Sequence, residues 1–478
     1  MFVLGSSDIR FEEEKLFSMG QTPLALMSIV GIMSALKFIE DFKNVRKVIA
    51  VCGKGNNAGD ALSLLYNLKL KGYDCSIYQP WGAATEECRI QRELCRSLGI
   101  EETSDLKSAD VIVEGLLGVG FYGSLREEAL KLIRDINNLN KPIVSMDIPA
   151  GLNSDTGEPQ PDAIRATYTY SIGFLKRGYL FRQSYEYTGK VIVIDIGFPP
   201  PENGLKIFTS SDAKLLIRKK DDFSHKIEKG SLLVWAGSKQ YPGALRLCLE
   251  GALNMGLGMS FSIVEDEFSI LPPETIPIAE KDFVSNNIDQ KILKKIRAVL
   301  IGPGLTNKKE VFIKEFVSKT NLPLILDADA LFPDIINLIK DKEVIITPHE
   351  GEFGRIFKND LDRVERFESF LDQYPGITLI LKGPNTLIGK GTQKYVVPIA
   401  DCDLAVAGSG DVLSGMIGAL LSTGYDTLSA SLLATFVHAI IPEIARQKNM
   451  RVTRSSDLAK LLKAFGGFEN IIESCDFI

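Results

Sequence analysis

The stretch AVAGSGDVLSGMIGALLSTG, residues 405–424, sets one carboxylate, Asp411, directly behind a glycine pair and at the head of an apolar-periodic segment. Val412, Leu413, Met416, Ile417, Leu420 and Leu421 recur at helical spacing, and Gly424 stands where such a helix stops. Gly408, Ser409 and Gly410 therefore read as a tight turn into the N-terminus of an amphipathic helix. Free backbone N–H groups and the positive end of the helix dipole then point at one spot, where a phosphoryl group in transfer can be held. Asp411 beside that anion is expected to be ionised at neutral pH. There it can accept a hydroxyl proton while the amides stabilise charge on phosphate oxygens. A plainer role is also open, in which Asp411 caps a buried helix after a flexible turn.

Outward from this segment, short β-branched runs alternate with helical patterns, which predicts α/β architecture with largely parallel sheets. In the first half the runs are Lys47–Cys52, Asp110–Val113, Pro142–Met146 and Val191–Ile196. In the second they are Ser231–Trp235, Ala298–Ile301, Leu322–Leu326, Val344–Ile346 and Thr378–Leu381. GFPPPENG (197–204) and the charged run RKKDDFSHKIEKG (218–230) break both series, so two domains are expected, 1–205 and 206–478.

Composition fits that division. At 478 residues the chain exceeds one ordinary core, and 45% hydrophobic with 24% charged residues is a globular balance. A net charge of -6 gives no electrostatic reason to expect nucleic acid or anionic membrane as a partner. Seven cysteines without CxxC pairing suit a reducing compartment, so a cytoplasmic location is expected, and no zinc site is suggested. The opening MFVLGSSDIRFEEEK lacks the pattern of a signal peptide. Leu24 to Leu36 is shorter than the roughly 20 residues that span a bilayer and reads as a buried helix. The histidines, His225, His349 and His438, are too scattered for a local metal motif.

In the first half the strand ending at Cys52 runs into GKGNNAGD (53–60) and a helix with Leu62, Leu64, Leu65 and Leu68 mostly on one face. Glycines between strand and helix suit a ribose, a phosphate or a cation, or form only a turn. EGLLGVGFYGS (114–124) and MDIPAGLNSDTG (146–157) follow further strands, so Glu114, Gly118, Gly120 and Asp147 should converge with the first loop. Asp147 can equally be tied into turn hydrogen bonds before Pro149.

These three motifs resemble the N-terminal domain of bifunctional NAD(P)H-hydrate repair enzymes. The resemblance implies a Rossmann-like three-layer domain that epimerises the hydrated nicotinamide ring, with Asp147 as its catalytic carboxylate. It places substrate on Asn56, Asn57, Ala58, Gly59 and Asp60, on Gly118, Val119, Gly120, Phe121, Tyr122, Gly123 and Ser124, and on Asp147. It also implies K+ at Asn57 and Glu114. The chain departs from the pattern: loop glycines become Ala58 and Ala61, a threonine becomes Val119, a serine becomes Ala150, an aspartate becomes Glu114, and MENAG reads MSIVG (27–31). A lost hydroxyl at 150, and methyls beside backbone that hugs a ligand, predict weak or absent epimerisation.

In the second half WAGSKQYPGA (235–244), IGPGL (301–305), LDADAL (326–331), TPHEGEF (347–353), LKGPNTLI (381–388) and AGSGDVLSG (407–415) follow in order. Small residues after the first strand let a ring or phosphate approach the backbone, or make an ordinary turn. Lys382 at a strand end offers a point charge to phosphate, or is solvated surface. Asp327 and Asp329 either line a cleft or cap the next helix. His349 and His438 read most simply as hydrogen-bonded structural residues.

Together these motifs resemble the ADP- or ATP-dependent NAD(P)H-hydrate dehydratase domain, of ribokinase-like α/β fold. The resemblance implies hydrated nicotinamide at Ala244, Gly304, His349 and Asp411. It implies adenine nucleotide at Lys382, Gly383, Pro384, Asn385, Thr386 and Gly410. Asp411 is then the general base for phosphoryl transfer from ATP or ADP, with Mg2+ on the nucleotide. A homo-oligomer is expected. Two alternatives are a ribokinase-type small-molecule kinase and a non-catalytic nucleotide-binding module. The family's asparagine-proline before the turn reads Asp401-Cys402, which leaves the shape of that loop open.

Overall fold

The runs Lys47–Cys52, Val111–Gly115 and Ile143–Met146 are buried along nearly their whole length, as strands covered on both faces must be. They belong to a computed structural model that describes residues 1–121, 123–218, 229–265, 271–285 and 290–475. Tyr122, His225 and most of the charged run lie outside the described residues. The chain divides into two units, Met1–Lys206 and Ile207–Ile478.

In the first unit seven parallel strands lie in the order Glu101–Glu102, Asp74–Tyr78, Lys47–Cys52, Val111–Gly115, Ile143–Met146, Tyr168–Ile172, Lys190–Ile194. Val48, Ala50 and Cys52 face one apolar cluster and Ile49 and Val51 another, so helices cover both sides in three layers. Lys47–Cys52 pairs with the next strand in sequence on one side and with Val111–Gly115 on the other. The chain therefore changes direction across the sheet beside Cys52, and crevices open at the carboxyl ends of strands at such a point.

The second unit carries the strands Thr275–Ala279, Met259–Val264, Ser231–Trp235, Ala298–Ile301, Leu324–Leu326, Val344–Ile346 and Thr378–Leu381 in parallel. An antiparallel hairpin, Thr386–Lys390 and Gln393–Val397, extends that sheet. Periodicity alone did not mark the hairpin, nor the strands Asp74–Tyr78, Tyr168–Ile172, Met259–Val264 and Thr275–Ala279. Their serines, threonines and glycines interrupt the apolar runs.

Two sequence expectations about helices change. Ser409–Ser422 is not amphipathic: Val412 through Ser422 are all buried. It packs against the sheet and against Pro242–Asn254 and Thr427–Gln447. The close approach needs glycine, since a Cβ at Gly415 would stand 1.9 Å from the Cys248 carbonyl oxygen. Conversely Pro23–Asp41, expected to be buried, hides only one face and leaves Ile32, Met33 and Leu36 exposed. This helix and Thr427–Gln447 are long and apolar enough to cross a membrane, but the latter is a core helix of its unit, 83% buried.

Candidate functional site

The turn at 408–411 takes the form that its glycines require. Gly408, at φ 87°, caps Ser409–Ser422 in the left-handed region, and its carbonyl accepts from the Val412 N–H. Asp411 stands in the first turn, partly exposed. Burial, then the charge of Asp327, raises its carboxyl to about 7, against the pull of Lys382. The expectation that Asp411 is ionised at neutral pH is thus corrected: its carboxyl is raised into the neutral range.

Lys382 reaches over the same turn, its amine 3.3 Å from where a Cβ on Gly410 would be. Its ion-pair partner is Asp327, at 2.6 Å, which also accepts from Ser414 Oγ (2.7 Å) and the Ala328 N–H (2.9 Å). Burial pulls the Lys382 amine down, but Asp327, Glu352 and Asp411 outweigh it and leave it raised. Behind the turn, buried His438 places Nε2 3.0 Å from Ser409 Oγ and 3.1 Å from the Ser409 carbonyl. Desolvation lowers His438 to about 4, so it buttresses the turn as a neutral ring.

The other expected residues divide. Ala244, in the first turn of Pro242–Asn254, abuts Gly304: a Cβ on Gly304 would lie 2.9 Å from the Ala244 methyl. Lys382 to Asn385 form the turn between two antiparallel strands, the second opening at Thr386, and the Arg363 guanidinium holds it by the carbonyls of Leu381, Pro384 and Asn385. His349 N-caps Glu350–Ile356, its Nδ1 accepting from the Gly351 and Glu352 N–H groups, while its ring stays 60% exposed. Its main chain bridges to Lys382, so the cap and the lysine share one edge. Asp329 accepts from the Thr306 N–H. The Asp401-Cys402 loop is also settled, since Asp401 caps the turn Cys402–Leu404 and Arg446 ties both Asp401 and Asp403.

In the first unit a cleft of about 970 Å³ opens at the crevice beside Cys52. Asn56, Asn57, Asp60, Gly118, Val119, Gly120, Phe121, Ser124 and Asp147 line it. Ala58, Gly59 and Gly123 are not among its lining residues. Ala58 and Ala61 direct their methyls into the apolar cluster under the helix. Their methyls thus belong to the core and not to the cleft lining, contrary to the sequence expectation. Asp147, at φ 62°, pairs with Lys176, whose amine also donates to the carbonyls of Ile172 and Phe174 at 3.0 Å each. Glu13, from the helix Ser6–Ser18, lines the same cleft, and burial and Asp147 raise its carboxyl to about 7. Burial above all holds Asp60 well above the usual carboxylate range.

Asn57 Nδ2 donates to the Leu117 carbonyl at 2.8 Å, while its buried Oδ1 has no donor among the described residues. Glu114 is buried, accepts from the N–H groups of Leu116 (2.7 Å) and Ala150 (3.3 Å), and is raised by desolvation to about 7.

Comparison with known proteins bears on both units. A family described as NAD(P)H-hydrate dehydratase matches residues 232–464, and one described as YjeF-related protein N-terminus matches residues 23–178. The bifunctional NAD(P)H-hydrate repair enzyme Nnr of Dictyoglomus turgidum is 33% identical, over 97% of this chain and 98% of that protein. The chain belongs to the bifunctional NAD(P)H-hydrate repair enzyme family. Its Synechocystis relative of the same name is 29% identical over 93% of this chain and 91% of that one. Among solved structures, an ADP/ATP-dependent NAD(P)H-hydrate dehydratase of Bacillus subtilis co-crystallised with ATP/Mg2+ is 27% identical. It covers 54% of this chain and 97% of its own, with a TM-score of 0.47.

Some members of this repair enzyme's polar clusters were not marked by sequence reasoning. Lys176 follows the strand Tyr168–Ile172 in the run GFLKRGY, and a lysine just past a strand end was the available signal. Glu13 gave none, because it lies in an acidic run, FEEEK, that reads as solvated surface.

Proposed function

We propose that the second unit dehydrates hydrated NAD(P)H at the expense of an adenine nucleotide, with Asp411 as general base. Asp411 takes the proton of the ring hydroxyl while that oxygen forms a bond to the γ-phosphorus of ATP, or the β-phosphorus of ADP, and the shortened nucleotide departs. Loss of the new phosphate with a ring proton then restores the reduced nicotinamide. Phosphorylation turns a poor leaving group, hydroxide, into a good one.

The observation that carries this reading is a half-buried carboxyl raised to about 7, beside a lysine that is paired with another acid. A base whose pKa lies near the working pH is best matched to proton transfer. Asp327 holds the Lys382 ammonium near Gly410, where phosphate oxygens can meet it, while burial and the charge of Asp327 keep the Asp411 carboxyl raised against the pull of that ammonium. The run from Lys382 to Thr386 and Gly410 suit the nucleotide; Ala244, Gly304 and His349 suit the hydrated ring. Asp411 offers an oxygen donor beside the nucleotide's own phosphate oxygens, the kind of donor Mg2+ prefers, and that ion when bound would neutralise charge on the transferring phosphoryl group.

The first unit, in this reading, interconverts the R and S hydrates in the cleft that Asp147 and Asp60 line, with Asp147 oriented by Lys176. The donor-free Oδ1 of Asn57 and the carboxylate of Glu114 suit K+, which when bound supplies a fixed positive charge for substrate. Ala150 offers that ion only its backbone, so epimerisation is weak. The cytoplasm, where hydrated cofactors and ATP coexist, is the proposed location, and a homo-oligomer the proposed assembly.

The test incubates the full chain with separated R and S hydrates, with and without ATP or ADP, and follows recovery of reduced-nicotinamide absorbance and free phosphate. Nucleotide-dependent recovery from the S hydrate is expected. A stable phosphoester without recovery indicates a kinase, and unaltered hydrate a non-catalytic module; either overturns the reading.

A further inference from the structure

The cleft of the first unit carries charge that epimerisation does not use. Glu13, Asp60 and Asp147 gather around Lys176, and their mutual interactions mark them as one cluster. Lys54 and Arg126 also line the cleft but stand outside that cluster. Both are exposed, and neither has a hydrogen-bond or ion-pair partner for its side chain among the described residues. Unpaired cations on the wall of a cleft this large suit an anionic ligand.

Lys54 has a specific neighbour. The Gln79 side chain donates to the Gly53 carbonyl at 2.8 Å, and the Ala84 N–H donates to the Lys54 carbonyl at 2.8 Å. The segment after the strand Asp74–Tyr78 is thus stitched to the loop that carries Lys54. That segment presents Trp81, which packs on the apolar cluster under the sheet and lines the cleft. In doubly wound sheets this position, after the second strand, reads the adenosine ribose, and a carboxylate there selects the free 2′-hydroxyl. Here residues 79–85 read QPWGAAT, with no carboxylate. The nearest acid downstream, Glu86, is held by Arg89 at 2.7 Å.

We infer that Trp81 and Lys54 form a subsite for a 2′-phosphorylated adenosine, with Trp81 against the base and Lys54 on the 2′-phosphate. Arg126 takes the diphosphate end. The inference rests on the reading of this cleft as a hydrated-dinucleotide site and adds a preference to it: the phosphorylated dinucleotide over the unphosphorylated one. The acid cluster then receives the nicotinamide ring, and the anionic remainder lies along the cations.

The test uses intrinsic fluorescence of the full chain and two half-ligands, adenosine 2′,5′-bisphosphate and AMP. The chain has two tryptophans, and Trp235 is 1% exposed, so quenching lost in Trp81→Phe reports this subsite. Titrations are run with ATP present to occupy the second unit. The bisphosphate should quench at about tenfold lower concentration than AMP, as for one charge-assisted phosphate contact. Lys54→Ala should make the two equal, and Arg126→Ala should weaken both alike. Equal quenching in the unaltered chain, a difference that survives Lys54→Ala, or quenching indifferent to Trp81→Phe overturns the proposal.

Hydrated NADPH added as competitor separates the two layers. If it binds while the half-ligands are not discriminated, the subsite alone fails. If the half-ligands behave as expected and the hydrate does not displace them, the subsite stands and the reading of the cleft fails.

Discussion

Each unit sets a carboxylate beside a lysine near the carboxyl ends of a parallel sheet, yet the two pairs are wired differently. In the first unit Lys176 is locked onto Asp147 itself and onto two carbonyls, with a side chain 1% exposed. In the second, Lys382 is given to Asp327, and Asp411 is left half-open with its carboxyl at about 7. Where pair and base are separate residues, the lysine is free to face an anion and the base to hold or release a proton. Where they coincide, the lysine holds the carboxylate in one orientation and is not itself left free to face an anion.

The sharpest way to break this contrast is Asp411→Asn. Turnover in dehydration should fall about 10²–10⁴-fold, while nucleotide affinity, measured by titration calorimetry, stays within about threefold. Near-normal turnover would remove Asp411 from the chemistry. Lys382→Met should come next. It leaves Asp327, 2% exposed at its side chain, without its counter-charge, which costs about 3–5 kcal/mol in chemical denaturation. Adding Asp327→Asn should recover most of that stability but not nucleotide affinity. Recovery of both would show that Lys382 serves packing alone.

Acidity probes the same difference more gently. A raised carboxyl is neutral below its pKa and cannot accept a proton. The kcat/KM for dehydration should therefore be level above about 7 and decline about tenfold per pH unit below it. A decline that begins only in the ordinary carboxylate range would show Asp411 to be less buried in solution. The smallest effect is expected in the first unit: Ala150→Ser, next to Glu114, should raise K+-stimulated epimerisation of the full chain about tenfold. Strong stimulation without the substitution would show that the hydroxyl is dispensable.

Much of this was legible in the sequence because it is local. Strand runs such as Lys47–Cys52 and Ser231–Trp235 match to the residue, and the glycine turn before Asp411 is where its spacing put it. The illegible parts involve partners distant along the chain. Asp327 and Lys382 are 55 residues apart and Asp327 and Ser414 are 87 apart, so only the order of strands makes them neighbours. Ala58 and Ala61 misled for a related reason: their spacing placed them at a ligand loop, but the first two turns of the helix put their methyls in the core cluster.

What the chain's sequence determined by itself was its inventory and periodicity: two α/β halves, a glycine-broken turn feeding a helix, and a set of motifs in family order. Turn chemistry and strand alternation act over a few residues and need no fold to be read. Tertiary structure alone decided which acid holds Lys382, how far Asp411 is desolvated, and that Glu13 joins a buried acid cluster. Charge pairing and desolvation depend on everything packed around a group, and that surrounding exists only once the sheets have assembled.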